Sequence, residues 1–474
     1  MLGPALDIDI ALDIAQDPAT MSFHPARVPV DIVYAVLQQL SDRRDLHAAT
    51  PLLYRTLDTD ARTKGEYKLR QTEAFHPAVT ILRKPSLARH VRHVREIGAM
   101  HRDPAMTAVV LKALSLCDNL YSFTWSDDMS SSPETFEAFL HVLKRIPFRS
   151  LTIRTYSDLG VRAWASLNAL TGLHKVAIWC MEGPPRVLQG WADRLGGTLT
   201  ELELGRCAGV PATILISVLS QLPLLRDLRL KGAPSASMHD ILTCVPNLLA
   251  LDTEYLGAGL LRPALDAHAP LPRLRHLTVR TSSVDLQGPR QLWQWLRQLI
   301  PRPSLESFTL NAFSTQGQMR IPRHFLLDLA HTQGTTLRTF LVNMSQLTHE
   351  DVACVCAKFP RLEALSCAVV SRDSASIEHV IAQAHQLRSL KLHVTWLPDS
   401  IALTTADWSN LPPAPRSPSN PFEKKDAEAL MLRTSIRTLS MGPHMYIGKW
   451  IQEPDPGGEM RLKLLVEEVS DRWV

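Results

Sequence analysis

From about residue 120 onward, apolar and polar positions follow a repeated phrase. Pro-x-apolar-x-x-apolar occurs as PLLRDL at 223, PNLLAL at 246, PRLRHL at 272, PSLESF at 303 and PRLEAL at 360. Copies without the proline are LYSFTW at 120, FRSLTI at 148, LHKVAI at 173, LTELEL at 199, LRTFLV at 337, LRSLKL at 387 and IRTLSM at 436. Aligned on the middle apolar residue they fall at Phe123, Leu151, Val176, Leu202, Leu228, Leu251, Leu277, Phe308, Phe340, Leu365, Leu390 and Leu439. Most gaps are 23 to 32 residues and the last is 49.

Each phrase ends in period-two alternation, as in Leu202-x-Leu204 and Leu228-x-Leu230, which predicts a short strand with one buried face. A helix-period segment precedes several of them. Ile214, Leu215, Val218, Leu219 and Leu222 form one face, Val352, Val355, Cys356 and Phe359 another, and Ile377, Val380 and Ile381 a third. Pro223, Pro246 and Pro360 follow such helices, where a residue lacking an N–H stops the helix and turns the chain. The unit is therefore helix, turn, short strand, with an apolar face that only a stacked neighbour can close. Burying one Leu is worth about 1.5–3 kcal/mol, so two or three anchors per repeat support an elongated stack.

In this pattern the chain resembles the leucine-rich-repeat family over roughly residues 90–445. L-x-x-L-x-L opens the unit, and Leu202, Leu204 and Cys207 match the cysteine-bearing variant. The resemblance implies an α/β solenoid with a curved parallel sheet inside and helices outside. SNLPPAPRSPSNPFEKKD, 409–426, explains the longest gap. Five of the ten positions from 412 to 421 are proline, so a mobile inserted loop is expected there. Residues 446–474, through Trp450 and Trp473, are expected to cap the last repeat.

The N-terminal part follows another pattern. Residues 1–26 are expected as a disordered tail. RVPVDIVYAVLQQLSDRRDLHAATPLLYRTL then holds three apolar groups separated by polar breaks. Pro29 starts a helix where its missing N–H is no loss. Asp45 can cap a second helix, and Leu52, Leu53 and Leu57 follow. A segment this small leaves apolar surface for a partner. Val28, Pro29, Ile32, Leu37, Leu40, Asp45 and Leu46 resemble the F-box, which sets residues 27–75 as a small all-α F-box-like element. Pro51 and the run Leu52-Leu53-Tyr54-Arg55 depart from that family's third helix. The resemblance implies docking on a Skp-type adaptor of a cullin–RING ubiquitin ligase through Pro29, Ile32, Val36, Leu37, Leu40 and Leu46. The repeats would then hold a protein substrate. A plain repeat scaffold, with the N-terminal helices as a solenoid cap, is the alternative.

Chemistry is sparse. There is no nucleophile elbow, phosphate-binding glycine loop or H-E-x-x-H. Gly257-Ala258-Gly259 lacks a third glycine. Cys354-x-Cys356 on a helix points its sulfurs about 200° apart, unsuited to one metal. No cofactor, metal or enzymatic activity is expected. The 51 Lys and Arg against 47 Asp and Glu give a net charge of +4, too little over 474 residues for general polyanion binding. RHVRHVRE, 89–96, is basic at every third position (Arg89, Arg92, Arg95) but lacks interleaved aromatics, which argues against nucleic acid. Seven cysteines fit a reducing compartment. No membrane-length apolar run or signal peptide is present, so a cytoplasmic or nuclear location is expected.

Strand parity names the candidate recognition surface. Residues flanking the buried leucines face the concave side: Lys175 and Trp179, Glu201 and Glu203, Asp227 and Arg229, Asp252 and Glu254, His276 and Arg280, then Lys391 and His393. Acidic positions concentrate between 201 and 254, pointing to a partner with a basic segment.

Overall fold

The computed structural model describes residues 50–58, 77–97, 104–127, 133–180, 190–257, 271–283, 288–289, 291–314, 317–397, 422–454 and 460–469. The chain forms two units, divided between Leu199 and Thr200. The first carries five parallel strands among the described residues: β1 (Thr56–Asp58), β2 (His93–Ile97), β3 (Ser122–Ser126), β4 (Ser150–Thr155) and β5 (Lys175–Cys180). The second carries β6 (Glu201–Leu204), β7 (Asp227–Leu230), β8 (Ala250–Tyr255), β9 (His276–Ser283), β10 (Ser307–Ser314), β11 (Thr339–Gln346), β12 (Ala364–Ser371), β13 (Ser389–Trp396) and β14 (Thr438–Met441) in parallel order. It ends in the antiparallel strands β15 (His444–Pro454) and β16 (Met460–Val469).

The aligned apolar positions lie directly opposite one another. In the second unit Leu202, Leu228, Leu251, Leu277, Phe308, Phe340, Leu365, Leu390 and Leu439 are register partners in sequence, all buried. In the first, Phe123, Leu151 and Val176 do the same, and the column extends backward through Val94 to Leu57. The opposite edge of the core comes from helices. Phe139 and Phe136, on the helix Pro133–Leu143, lie against Phe123 and Trp125, and Phe325, on Arg323–Gln333, lies against Phe308. Phe308 and Phe340 stack at 5.7 Å between centroids, which turns two adjacent repeats into one aromatic contact.

The backbone repeats as strictly as the side chains. Before the parallel strands within each unit, one carbonyl accepts two N–H groups from the next repeat. Arg275 O accepts from Glu306 and Ser307 at 2.8 and 2.9 Å, Glu306 O from Arg338 and Thr339 at 2.8 and 3.0 Å, and Arg338 O from Glu363 and Ala364 at 2.7 and 3.0 Å. This pair of hydrogen bonds fixes where adjacent parallel strands start, which holds the side-chain column in register. The result is an α/β leucine-rich-repeat-type solenoid stack in each unit.

Several details differ from the sequence reading. Leu57, grouped above with a helical element over 27–75, lies in β1 and is buried in the repeat core, so stacking begins before residue 90. Before β1 the structure describes residues 50–55, helical over 50–53, and the rest of that element falls outside the described residues. Ile214 does not join the buried face of Ala212–Leu219; it is exposed while Leu215, Val218 and Leu219 are buried. The expected loop 409–426 ends early. Residues 424–426 begin the helix Lys424–Arg433, opened by a reciprocal capping box between Glu423 and Asp426; 409–421 lie outside the described residues. The described residues of the segment expected as a cap, 446–474, lie in the antiparallel strands β15 and β16, β15 beginning earlier, at His444, and pairing with β14.

One polar side chain is as deep in the core as the leucines. Gln333, at 0 % exposure, accepts through Oε1 from the N–H groups of Ser304 and Leu305, both at 3.0 Å. Its Nε2 donates to the carbonyls of Ile300 and Arg302 at 3.0 and 2.6 Å. It thus satisfies the turn that leads the preceding repeat into β10. Gln333→Leu, similar in volume, is expected to cost about 2–4 kcal/mol by orphaning those groups. Urea denaturation followed by circular dichroism checks this, and a loss below about 0.5 kcal/mol would contradict the assignment.

Candidate functional site

The helix-free faces of the sheets carry the side chains that parity assigned to recognition, divided between the two units. Lys175 and Trp179 stand on β5 in the first unit, where the Arg154 guanidinium lies 5.8 Å from the centre of the Trp179 ring. The remaining positions stand on β6 to β9 and β13 in the second. Glu201, Asp227, Ala250 and His276 form one cross-strand row, and Glu203, Arg229, Asp252 and Thr278 the next. His276 is exposed. Lys391 and His393 lie further along, on β13.

Part of the expected acidic strip is engaged within the protein. Arg280 grips Asp252 with both terminal nitrogens, at 2.5 and 2.9 Å. Arg229 lies 3.6 Å from Asp227. The Glu254 carboxylate accepts the N–H of Gly232 at 3.0 Å, tying down the turn after β7. Gly232 has φ of +76°, and a Cβ there would come within 3.0 Å of the Ala208 backbone nitrogen, so this close turn demands glycine. Burial pushes the Asp252 carboxyl upward, against the charge and hydrogen bonds of Arg280 and the charge of Arg229, with Glu203 adding to the rise. Desolvation thus offsets much of the attraction within this part-buried pair.

Beyond this pair lies a group that strand parity did not reveal. Arg280 is the register partner of both Glu254 and Asn311. Asn311 Oδ1 accepts from Asn343 Nδ2 at 2.7 Å, and Asn343 Oδ1 accepts from Ser366 Oγ at 3.1 Å. Polar side chains therefore occupy neighbouring positions from β8 to β12, bonded from Asp252 to Arg280 and from Asn311 through Asn343 to Ser366. Asn343 has φ of +46°, at a break in the β11 register between Leu341 and Gln346. Asparagine tolerates that backbone, and the bulge changes the parity of the strand. Val342 and Ser345 are buried while Met344 is exposed. Met344 thus joins Phe313, which at 55 % exposure stands out of the same face of β10, and Leu256, exposed just past the end of β8. An apolar side chain at each of these places, beside a bonded amide row, is what a protein ligand needs: an anchor contact and fixed polar groups to set its register. The bulge was invisible in the sequence, where LVNMSQ reads as ordinary alternation.

Burial raises the thiols of Cys117, Cys207 and Cys356 to about 12, with Asp118 adding to the rise at Cys117; Cys367 is raised further, again by burial first. At neutral pH these four stay protonated and unreactive. His393 is lowered by burial first and then by Lys391, which keeps it neutral near pH 7. Among the described residues, no group of three or more His, Cys, Asp or Glu side chains is placed to hold a metal ion, and no helix is long and apolar enough to cross a membrane. Pro29, Ile32, Val36, Leu37, Leu40 and Leu46, the adaptor positions, lie outside the described residues.

No protein-family model matches the chain, and no curated protein matches it. Among solved structures, the chain is similar to one from the yeast complex of Rad7 and Elc1, with 13% identity and a TM-score of 0.42 over 78% of this chain and 94% of that one. It is also similar to one from the Drosophila Toll–Spatzle complex, with 13% identity and a TM-score of 0.28 over 67% and 49%. A third is a leucine-rich-repeat protein of Leptospira interrogans, with 12% identity and a TM-score of 0.26 over 74% and 90%. At such scores the fold rests on the register and packing described above.

The Asp252–Arg280 pair has a measurable signature. Asp252→Ala leaves a half-buried guanidinium without its carboxylate and is expected to cost about 1–3 kcal/mol, whereas Asp252→Ala with Arg280→Ala costs less than the sum of the singles. A double-mutant cycle by urea denaturation reads the coupling, and additivity within about 0.3 kcal/mol would show that the pair is not energetically linked.

Proposed function

We propose that this chain is a non-catalytic substrate-recognition subunit of a Skp–cullin–F-box type ubiquitin ligase. Its repeats hold a protein target, and residues 28–57 engage a Skp-type adaptor and, through it, the cullin scaffold. The observation that carries the target-binding half is the helix-free face of the second unit, where Phe313 and Met344 stand out beside the Arg280–Asn311–Asn343–Ser366 row. The adaptor half is supported by the F-box-like spacing of Pro29, Ile32, Leu37, Leu40 and Leu46 in a chain that goes on into leucine-rich-repeat stacking. A receptor of this kind transfers nothing itself, so it needs neither nucleophile nor cofactor, and it works in the cytoplasm or nucleus.

One observation favours a second reading. Leu57 belongs to the repeat core through β1, which continues the N-terminal segment directly into the stack. In that reading the preceding helices cap the solenoid, and the protein is an interaction scaffold without a ligase link.

A pull-down with a purified Skp-type adaptor separates the two. Retention by the wild type, abolished by Ile32→Asp and by Leu37→Asp, is the expected result; no retention by the intact protein supports the scaffold. The face has its own test. Phe313→Asp is expected to lower recovery of a co-purifying target by about tenfold or more while leaving adaptor retention unchanged, as loss of an anchor contact does. Equal target recovery by quantitative mass spectrometry would remove Phe313 from the recognition surface.

A further inference from the structure

The second unit ends in an antiparallel ribbon whose use the receptor reading leaves open. β15 and β16 pair from Met445 opposite Val469 to Pro454 opposite Met460. Tyr446 and Val466 are buried, with the Tyr446 ring 6.1 Å from Phe422 beside the helix Lys424–Arg433. A Cβ on Gly448 would lie 2.8 Å from Met431 Sδ, so that helix presses on the ribbon up to this point. Further out the apolar side chains continue without cover: Trp450, Ile451 and Leu465 are exposed, Met460 is 61 % exposed and Leu462 67 %. β16 is the last strand of the sheet, and among the described residues no strand pairs with its outer edge. Ten residues of open edge carrying exposed leucines are a template for another strand.

The charges on β16 identify that strand. Arg461 and Lys463 stand in its first half, Glu467 and Glu468 in its second. A parallel copy would set Lys463 on Lys463 and Glu467 on Glu467, which repel. An antiparallel copy related by a two-fold axis at Leu465 sets Lys463 opposite Glu467 of the second copy, twice, and Leu465 opposite Leu465. On the other face Leu464 meets Val466. Pairs already present within the ribbon extend this pattern. Lys463 Nζ bonds Glu453 at 2.7 Å, and Lys449 Nζ bonds Glu467 at 3.2 Å. Across four strands the order becomes Glu453, Lys463, Glu467 of the second copy, Lys449 of the second copy, alternating in sign. Charged edges guard against indiscriminate pairing; this arrangement repels a parallel neighbour and accepts an antiparallel copy of itself.

We propose that β16 is a homodimerisation edge, pairing antiparallel with β16 of a second copy of this chain to make one continuous sheet. The edge shares no residue with the adaptor positions or with the Phe313 face, so its failure leaves the receptor reading intact.

Sedimentation equilibrium of the full chain between about 1 and 100 µM tests it. The wild type is expected to dimerise. Lys463→Glu and Glu467→Lys each set like charges across the two-fold axis, and each is expected to weaken the dimer by about tenfold or more. Mixing the two variants restores opposite charges at both positions, so a 1:1 mixture is expected to dimerise where neither does alone. Circular dichroism checks that both variants fold. A wild type that stays monomeric over this range overturns the proposal. So does a dimer unaffected by the single substitutions, or a mixture no more associated than its components.

Discussion

The structure depends on a strand that cannot bury its own apolar face. Each repeat supplies two to four inward residues and leaves them half covered until the neighbouring repeat arrives in parallel. Leu202, Leu228 and Leu251 are thus each other's solvent exclusion, and Phe308 and Phe340 meet ring to ring. The paired N–H groups given to one carbonyl before the parallel strands within each unit hold the register in which this works. Stability in such an array is a sum over neighbours, without a central core.

Recognition follows from the same constraint. If every second strand residue must face inward, the alternate ones are held outward on a rigid spacing. Several of these are occupied with one another. Asp252 is held by Arg280, and Glu254 holds the turn at Gly232. These contacts hold the outward groups in fixed positions, and a surface held in this way loses less entropy on binding than a mobile one. Where the alternation is broken, at Asn343, an extra apolar side chain is delivered to the outer face. Bulges are found where a strand must aim a residue differently.

The apolar column was legible because it is made by local sequence: from Phe123 to Leu439, the aligned positions are the register partners observed within each unit. Leu57 and Val94 escaped because neither strand shows a pair of alternating apolar residues: β1 is only three residues long, and β2 has Glu96 at its second inward position. Ile214 was misplaced since a short helix offers more apolar positions than its buried arc can take. Gln333 could not be found, because a side chain's four hydrogen bonds to a turn one repeat away leave no trace in composition. The engagement of part of the acidic strip was hidden for a similar reason. Asp252 and Arg280 are 28 positions apart, and only strand register makes them neighbours.

The central claim is the parallel register and the two faces it creates. Disulfide trapping at β10 and β11 tests it most directly. Thr309 and Leu341 are register partners on the outer face, while Val342 points into the core. Thr309→Cys with Leu341→Cys should cross-link readily under mild oxidation, since adjacent strands lie about 4.8 Å apart. Thr309→Cys with Val342→Cys should not. Peptide mapping that finds the second link and not the first would contradict the register, and with it the surface it assigns to recognition.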